Sequence, residues 1–192
     1  AGTGRTREVD GVGWAEVETP NGLGWVESLH LTEEIDAATF AEDQAPLLLI
    51  EDFVEALRDG GDLSSLVAPH GLWVSHHDEP VEYEPEAIPG LLEDGSARVW
   101  PGRNPAFEDR WGSFREVVAA DIVAAWDRPD RVIAADQTLV PSTVVPVEYT
   151  NFHSLSIGTA ASGRERLEQT AWLVHVGYVR GTPYVAALTR EG

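Results

Sequence analysis

Six histidines and no cysteine leave imidazoles and carboxylates as the chain's main means of proton or metal chemistry. His76 and His77 run into Asp78 and Glu79, and imidazole with carboxylate is a standard donor set for zinc and other divalent ions. Adjacent residues of a strand point to opposite faces, so the two rings cannot converge on one ion without a turn. A strand ending in a solvated acidic loop, with no metal, is the expectation. His175 stands between Val174 and Val176, and His153 follows Phe152. If those segments pair as strands, both imidazoles could face the same side of a sheet, where a His beside a carboxylate can act as a general base. A single His in an apolar strand is more often a satisfied core residue. Tyr149, Tyr178 and Tyr184 are open between pocket hydrogen-bond donors and sheet packing. His153, His175 and Tyr178 are kept as candidate ligand-binding residues. The chain has no Gly-x-Ser-x-Gly, phosphate loop or dinucleotide fingerprint, and neither a catalytic residue nor a cofactor is assigned.

The elements that would position these groups begin with an amphipathic helix. Leu47 to Arg58 places Leu49, Phe53, Val54 and Leu57 on one face and stops at Gly60-Gly61. A second, short helix is expected from an Asp62 cap through Leu63, Leu66 and Val67 to Pro69, followed by a strand over Gly71 to His77. Pro85 to Leu92 reads as a helical turn, and Ala97 to Asp109, punctuated by Pro and Gly, as a loop. Ser113-x-x-Glu116 is a capping box that opens a helix to Trp126 with Phe114, Val117, Val118 and Ile122 at helical spacing. From Val132 onward the pattern is β: Val132 to Ala135, Val144 to Ile157 broken by Pro146, Thr170 to Val179, and Tyr184 to Thr189 after Arg180-Gly181.

Ahead of all this, Trp14, Glu16 and Glu18 alternate with Ala15 and Val17 before Pro20-Asn21-Gly22 and a short strand over Gly24 to Val26, a hairpin signature. Trp14 and Trp25, with Asn21 and the acidic residues Glu16, Glu18 and Glu27, could form an aromatic shelf for a peptide or glycan. One of the two Trp is also a natural core residue. Residues 33 to 46, acidic and ending in Pro46, read as a linker or a short connecting helix.

Two resemblances follow from these segments. The stretch RTREVDGVGWAEVETPNGLGWVESLHL resembles the C-terminal half of a bacterial Src-homology-three-like domain, and domains of that kind often bind cell-wall peptides. The stretch FVEALRDGGDLSSLVAPHGLWV and the terminal WLVHVGYVRGTPYVAAL resemble the opening and the end of nuclear-transport-factor-two-like (cystatin-like) domains. Together they imply a partial small β-barrel module over residues 1 to 32, a linker over 33 to 46, and an α+β domain over 47 to 192 in which helices pack on a curved antiparallel sheet. They further imply an exported bacterial-type protein, secreted or at the cell surface. Ala1 comes first and no Met occurs, which leaves a preceding signal or lipid-anchor segment open.

Composition bounds the partners. With 33 acidic and 13 basic residues, all of the latter Arg, the net charge is −20, a field that repels nucleic acid and anionic membranes. Acid excess without Lys fits either a high-salt proteome or a GC-biased genome. Hydrophobic residues at 43% and charged residues at 24% are the balance of a folded protein. The longest apolar stretch, near Pro46 to Ile50, falls far short of the roughly 18 residues of a membrane span. The expectation is a non-catalytic binding or adhesion-type protein whose partner is a cell-wall component or a protein, self-association included. The alternative is a small-molecule enzyme or carrier with a pocket on the concave face of the sheet.

Overall fold

The computed structural model describes residues 2–28, 31–76, 79–101, 109–137, 139, 152–159 and 171–191. Strands β1 (Gly2–Val9), β2 (Val12–Thr19) and β3 (Gly22–Glu27) form an antiparallel sheet in the order β1-β2-β3. The β2–β3 hairpin closes on Pro20 and Asn21, where the Thr19 hydroxyl donates to the Gly22 carbonyl at 2.8 Å and accepts from the Asn21 amide at 3.3 Å. Positive φ falls on Gly22, at 114°. The β1–β2 hairpin closes on Asp10 and Gly11, at φ 53° and 82°, the pair of left-handed residues that suits a two-residue hairpin loop.

Residues beyond this sheet form α1 (Ala37–Glu42), α2 (Ala45–Asp59), β4 (Leu72–His76), β5 (Glu79–Tyr83), a 3-10 turn (Pro85–Gly90), β6 (Arg98–Trp100), β7 (Arg110–Gly112), α3 (Ala120–Trp126), β8 (Arg131–Ala135), β9 (His153–Thr159), β10 (Ala171–Val179) and β11 (Thr182–Glu191). The large sheet has the order β5-β4-β11-β10-β9-β8; β4 and β11 run parallel and the other neighbours antiparallel. Strands β6 and β7 make a separate ribbon. Helix α2 forms as its periodicity requires, burying Pro46, Leu49, Ile50, Phe53, Val54 and Leu57 and ending at Gly60 in the left-handed conformation, φ 75°. From Leu49 onward these side chains share one core with Leu72, Val74, Leu155, Ile157, Trp172, Val174, Val185 and Leu188 of the sheet. No helix among the described residues is long and apolar enough to cross a membrane.

The expected fold class is corrected by this architecture. Among the described residues strand accounts for 44% and helix for 27%, with a six-stranded mixed sheet and a three-stranded sheet, which is more β-rich than helices on a curved antiparallel sheet of cystatin-like type. Strand β1 lies where no strand was expected. The supposed short helix after Asp62 is a turn, and its Val67 bridges to Val185. Strand β6 occupies part of the supposed loop. Strand β5, sequence EPVEY, carries two acids and a proline, a composition that reads as loop but is tolerated on an edge strand, where one row of backbone groups needs no partner. Of the stretch Val144 to Ile157, only the part from Phe152 is described.

The capping box forms as expected: the Ser113 amide donates to Glu116 Oε2 at 2.9 Å, and the Glu116 amide donates to Ser113 Oγ at 3.3 Å. The first turn after it, Arg115–Ala119, is a π-helix that runs into α3. Ser113 is buried, so Ser113→Ala is expected to cost about 1 kcal/mol, read as a lower urea midpoint at unchanged slope.

Candidate functional site

The register of the small sheet decides which of its side chains can act together. Trp14 is paired with Arg7 on one side and Glu27 on the other, Glu16 with Trp25, Glu18 with Leu23, and Val9 with Val12. Alternation along β2 then puts Val9, Arg7, Trp14, Glu16, Trp25 and Leu23 on one face. The opposite face carries the smaller Ala15, Val17, Gly24 and Val26. Trp14 and Trp25 are half-buried. Arg7 lies over the Trp25 ring at 4.1 Å, a cation–π contact. Glu16 is only 7% exposed; it accepts from the Thr3 hydroxyl at 2.8 Å and has Arg5 at 3.6 Å. Leu23 and Val9 are its exposed hydrophobic members, at 63% and 44%. Asn21 stands in the exposed turn at one end of this face.

The candidates in the larger sheet do not converge. Val176 pairs with His153 and His175 with Ser154, which puts the two imidazoles on opposite faces. His153 lies on the helix-covered side, stacked on Phe40 of α1 at 4.4 Å. Its Nδ1 contacts Asp136 Oδ2 at 2.8 Å and its Nε2 the Ile35 carbonyl at 2.5 Å, so both ring nitrogens are engaged by protein oxygens. His175 is 1% exposed, with Nε2 at 3.0 Å from Thr189 Oγ1, and burial lowers it to about pH 4.

Tyr178 is buried and serves to hold residues 31–44 on the sheet. Its amide donates to Thr32 Oγ1 at 2.7 Å, its carbonyl accepts from the Glu33 amide at 3.0 Å, and its hydroxyl donates to Asp43 Oδ2 at 3.2 Å. Burial, then the Asp43 charge, pushes this phenol well above its usual range. A cavity of about 220 Å³ opens beside that segment, lined by Phe40, Asp43, Pro46, Leu47, Ile133 and Leu155 among others; neither imidazole lines it. Tyr184 is half-buried near the β10–β11 turn, and Tyr149, His77 and Asp78 lie outside the described residues. No group of three or more His, Asp or Glu among the described residues is arranged to hold a metal ion.

Sequence reasoning missed Arg7, Leu23 and Val9 as parts of the tryptophan face. The signal was Asp10-Gly11, a two-residue hairpin loop that sets Arg7 opposite Trp14. No family model, no curated protein and no solved structure matches the chain.

Proposed function

We propose that this is a non-catalytic binding protein of a cell envelope, exported to the surface, which holds a cell-wall glycan or its peptide on the tryptophan face of the small sheet. The observation that carries this reading is the placement of two half-open indoles, a guanidinium and an exposed leucine on a single face. Flat indole rings stack on the apolar faces of sugars and on extended peptide, while Arg7 supplies a polar edge. The resemblance of this segment to Src-homology-three-like modules points to the same ligand class. A net charge of −20 weighs against polyanionic partners and leaves neutral or amine-bearing wall components.

Co-sedimentation with purified cell wall tests the reading. The intact chain should be retained, and Trp25→Ala and Arg7→Ala should each weaken retention about tenfold, the loss expected for a stacked or cation–π contact, while circular dichroism stays unchanged. Wild-type protein left in the supernatant, or variants retained like wild type, would reject the assignment; concentration-dependent self-association lost in Trp25→Ala would instead make the same face a homotypic interface.

A further inference from the structure

A second cavity, also about 220 Å³, lies between β7, α3 and β11 and is lined by Arg110, Asp121, Ala124, Ala125, Arg128 and Arg190. Three of the chain's 13 basic residues meet there, although the chain as a whole carries −20. The arrangement follows from register. Arg190 is paired with Trp172 and, one step beyond the Thr189–Ser75 pair of β11 and β4, comes level with His76. Arg110 opens β7 opposite Trp100, and Asp121 sits in the first turn of α3.

The charges there do not balance among these groups. Asp121 Oδ2 takes Arg110 Nη1 at 2.5 Å and Arg190 Nη2 at 3.7 Å, so one carboxylate oxygen serves two guanidinium groups. Arg190 Nη1 also lies 2.5 Å from His76 Nε2, while His76 Nδ1 lies 2.7 Å from the Pro101 carbonyl. That geometry is satisfied by an uncharged imidazole, which donates from Nδ1 and accepts at Nε2 and therefore brings no negative charge. The Arg190 side chain is only 15% exposed. Burial lowers its guanidinium, Asp121 opposes that, and the Arg110 charge lowers it further. Arg128, on the cavity's rim, is held by Asp130 at 3.1 and 3.2 Å.

We propose that this cavity is a binding site for a small oxyanion, a carboxylate or a phosphate, held by Arg110 and Arg190 with Arg128 closing on it. Planar guanidinium groups match the paired oxygens of either anion. Among the described residues Asp121 is the carboxylate that Arg110 and Arg190 share, and a ligand there would supply a second negative charge. The overall acidic field does not forbid this, because exposed charges are screened beyond about 10 Å at 0.1 M salt whereas the cavity's arginines act at contact distance.

Inorganic phosphate and succinate, titrated separately into the intact chain by calorimetry and followed by thermal melts, test the proposal. Sodium chloride at matched ionic strength is the necessary control, since any salt relieves repulsion in so acidic a chain. At least one of the two anions should bind saturably and raise the melting temperature beyond the chloride curve, and the anion that does so names the ligand class. Arg110→Ala should weaken that binding tenfold or more, and Arg5→Ala in the small sheet should leave it unchanged. Because Arg110→Ala also removes a partner of Asp121, Arg128→Ala, at a half-exposed side chain, provides the second reading, with a loss of at least threefold expected. Melts in both anions that superpose on chloride, or binding that neither arginine variant weakens, would overturn the site.

Discussion

Between pH 6.5 and about 4 the protein should lose on the order of 3 kcal/mol of stability through one side chain, His175. Its ring sits on the face of β10 turned away from α2, fully buried beside Thr189, and a charged imidazole there would forfeit its hydration. Above pH 6.5 the ring is neutral in both folded and unfolded chains and contributes no pH dependence. Below it the unfolded chain takes up a proton that the folded chain refuses until about pH 4, so stability falls as pH falls across that window. Protonation of surface carboxylates relieves repulsion in the opposite direction, but mostly below about pH 4.5. The carboxyls of Asp36 and Asp62 are held below their ordinary value by hydrogen bonds from Thr39 and Ser64, so their loss of charge falls lower still. Urea unfolding at pH 7, 6, 5 and 4.5 should give wild type a slope steeper than that of His175→Gln by about 1.4 kcal/mol per pH unit. Parallel slopes would mean that the ring is hydrated or charged in the folded state.

Gly71→Ala should be at least as damaging, with a loss of about 3 kcal/mol or more. Gly71 has φ +98°, and a Cβ there would lie 2.1 Å from the Tyr83 carbonyl oxygen. That oxygen belongs to the backbone of β5 where it pairs with β4, Leu72 against Tyr83, so relief requires moving a strand. The cost combines overpacking with a left-handed conformation, each of order 1–3 kcal/mol. Gly60 is the internal comparison: its φ is +75°, but its added Cβ would meet only the Arg115 guanidinium at 3.1 Å, a group that can swing away. Gly60→Ala should therefore cost about 1 kcal/mol. Equal melting temperatures for the two variants would show that the start of β4 does not approach β5 as described.

The contrast between these glycines also shows what a sequence can disclose. Gly60 closes a helix whose apolar period and stop signal are local, and α2 was readable from them. The same holds for the Ser113–Glu116 capping box and the Pro20-Asn21 hairpin, from whose closing pair, Thr19 with Gly22, the facing of Trp25 and Glu16 follows by counting. Gly71 answers to a carbonyl 12 residues away, and nothing local announces it. The facing of His153 and His175 failed for a similar reason, because a shift of one residue in the pairing of β9 and β10 decides which side each ring takes. Acidic, proline-bearing β5 was hidden because edge position, not composition, makes it a strand. The arginine cavity joins β7, α3 and β11, and no spacing in the chain brings Arg110, Arg128 and Arg190 together.

The position of β11 has a consequence for how the chain is born. It lies inside the large sheet, between β4 and β10, yet it is the last strand of that sheet to be synthesised. Trp73 and its parallel neighbour Ala187 are separated by more than a hundred residues, which at ribosomal rates of roughly 5–20 residues per second is an interval of about 5–20 s. Throughout it the β4–β5 hairpin and the β8–β10 ribbon each present an unpaired edge, and the apolar face of α2 has only part of its floor. Such distant pairing makes for slow folding and a nascent chain prone to stick to its neighbours. Self-repulsion at −20 then becomes useful at a stage before any ligand is met, because it keeps unfinished chains apart while the last strand is still being made.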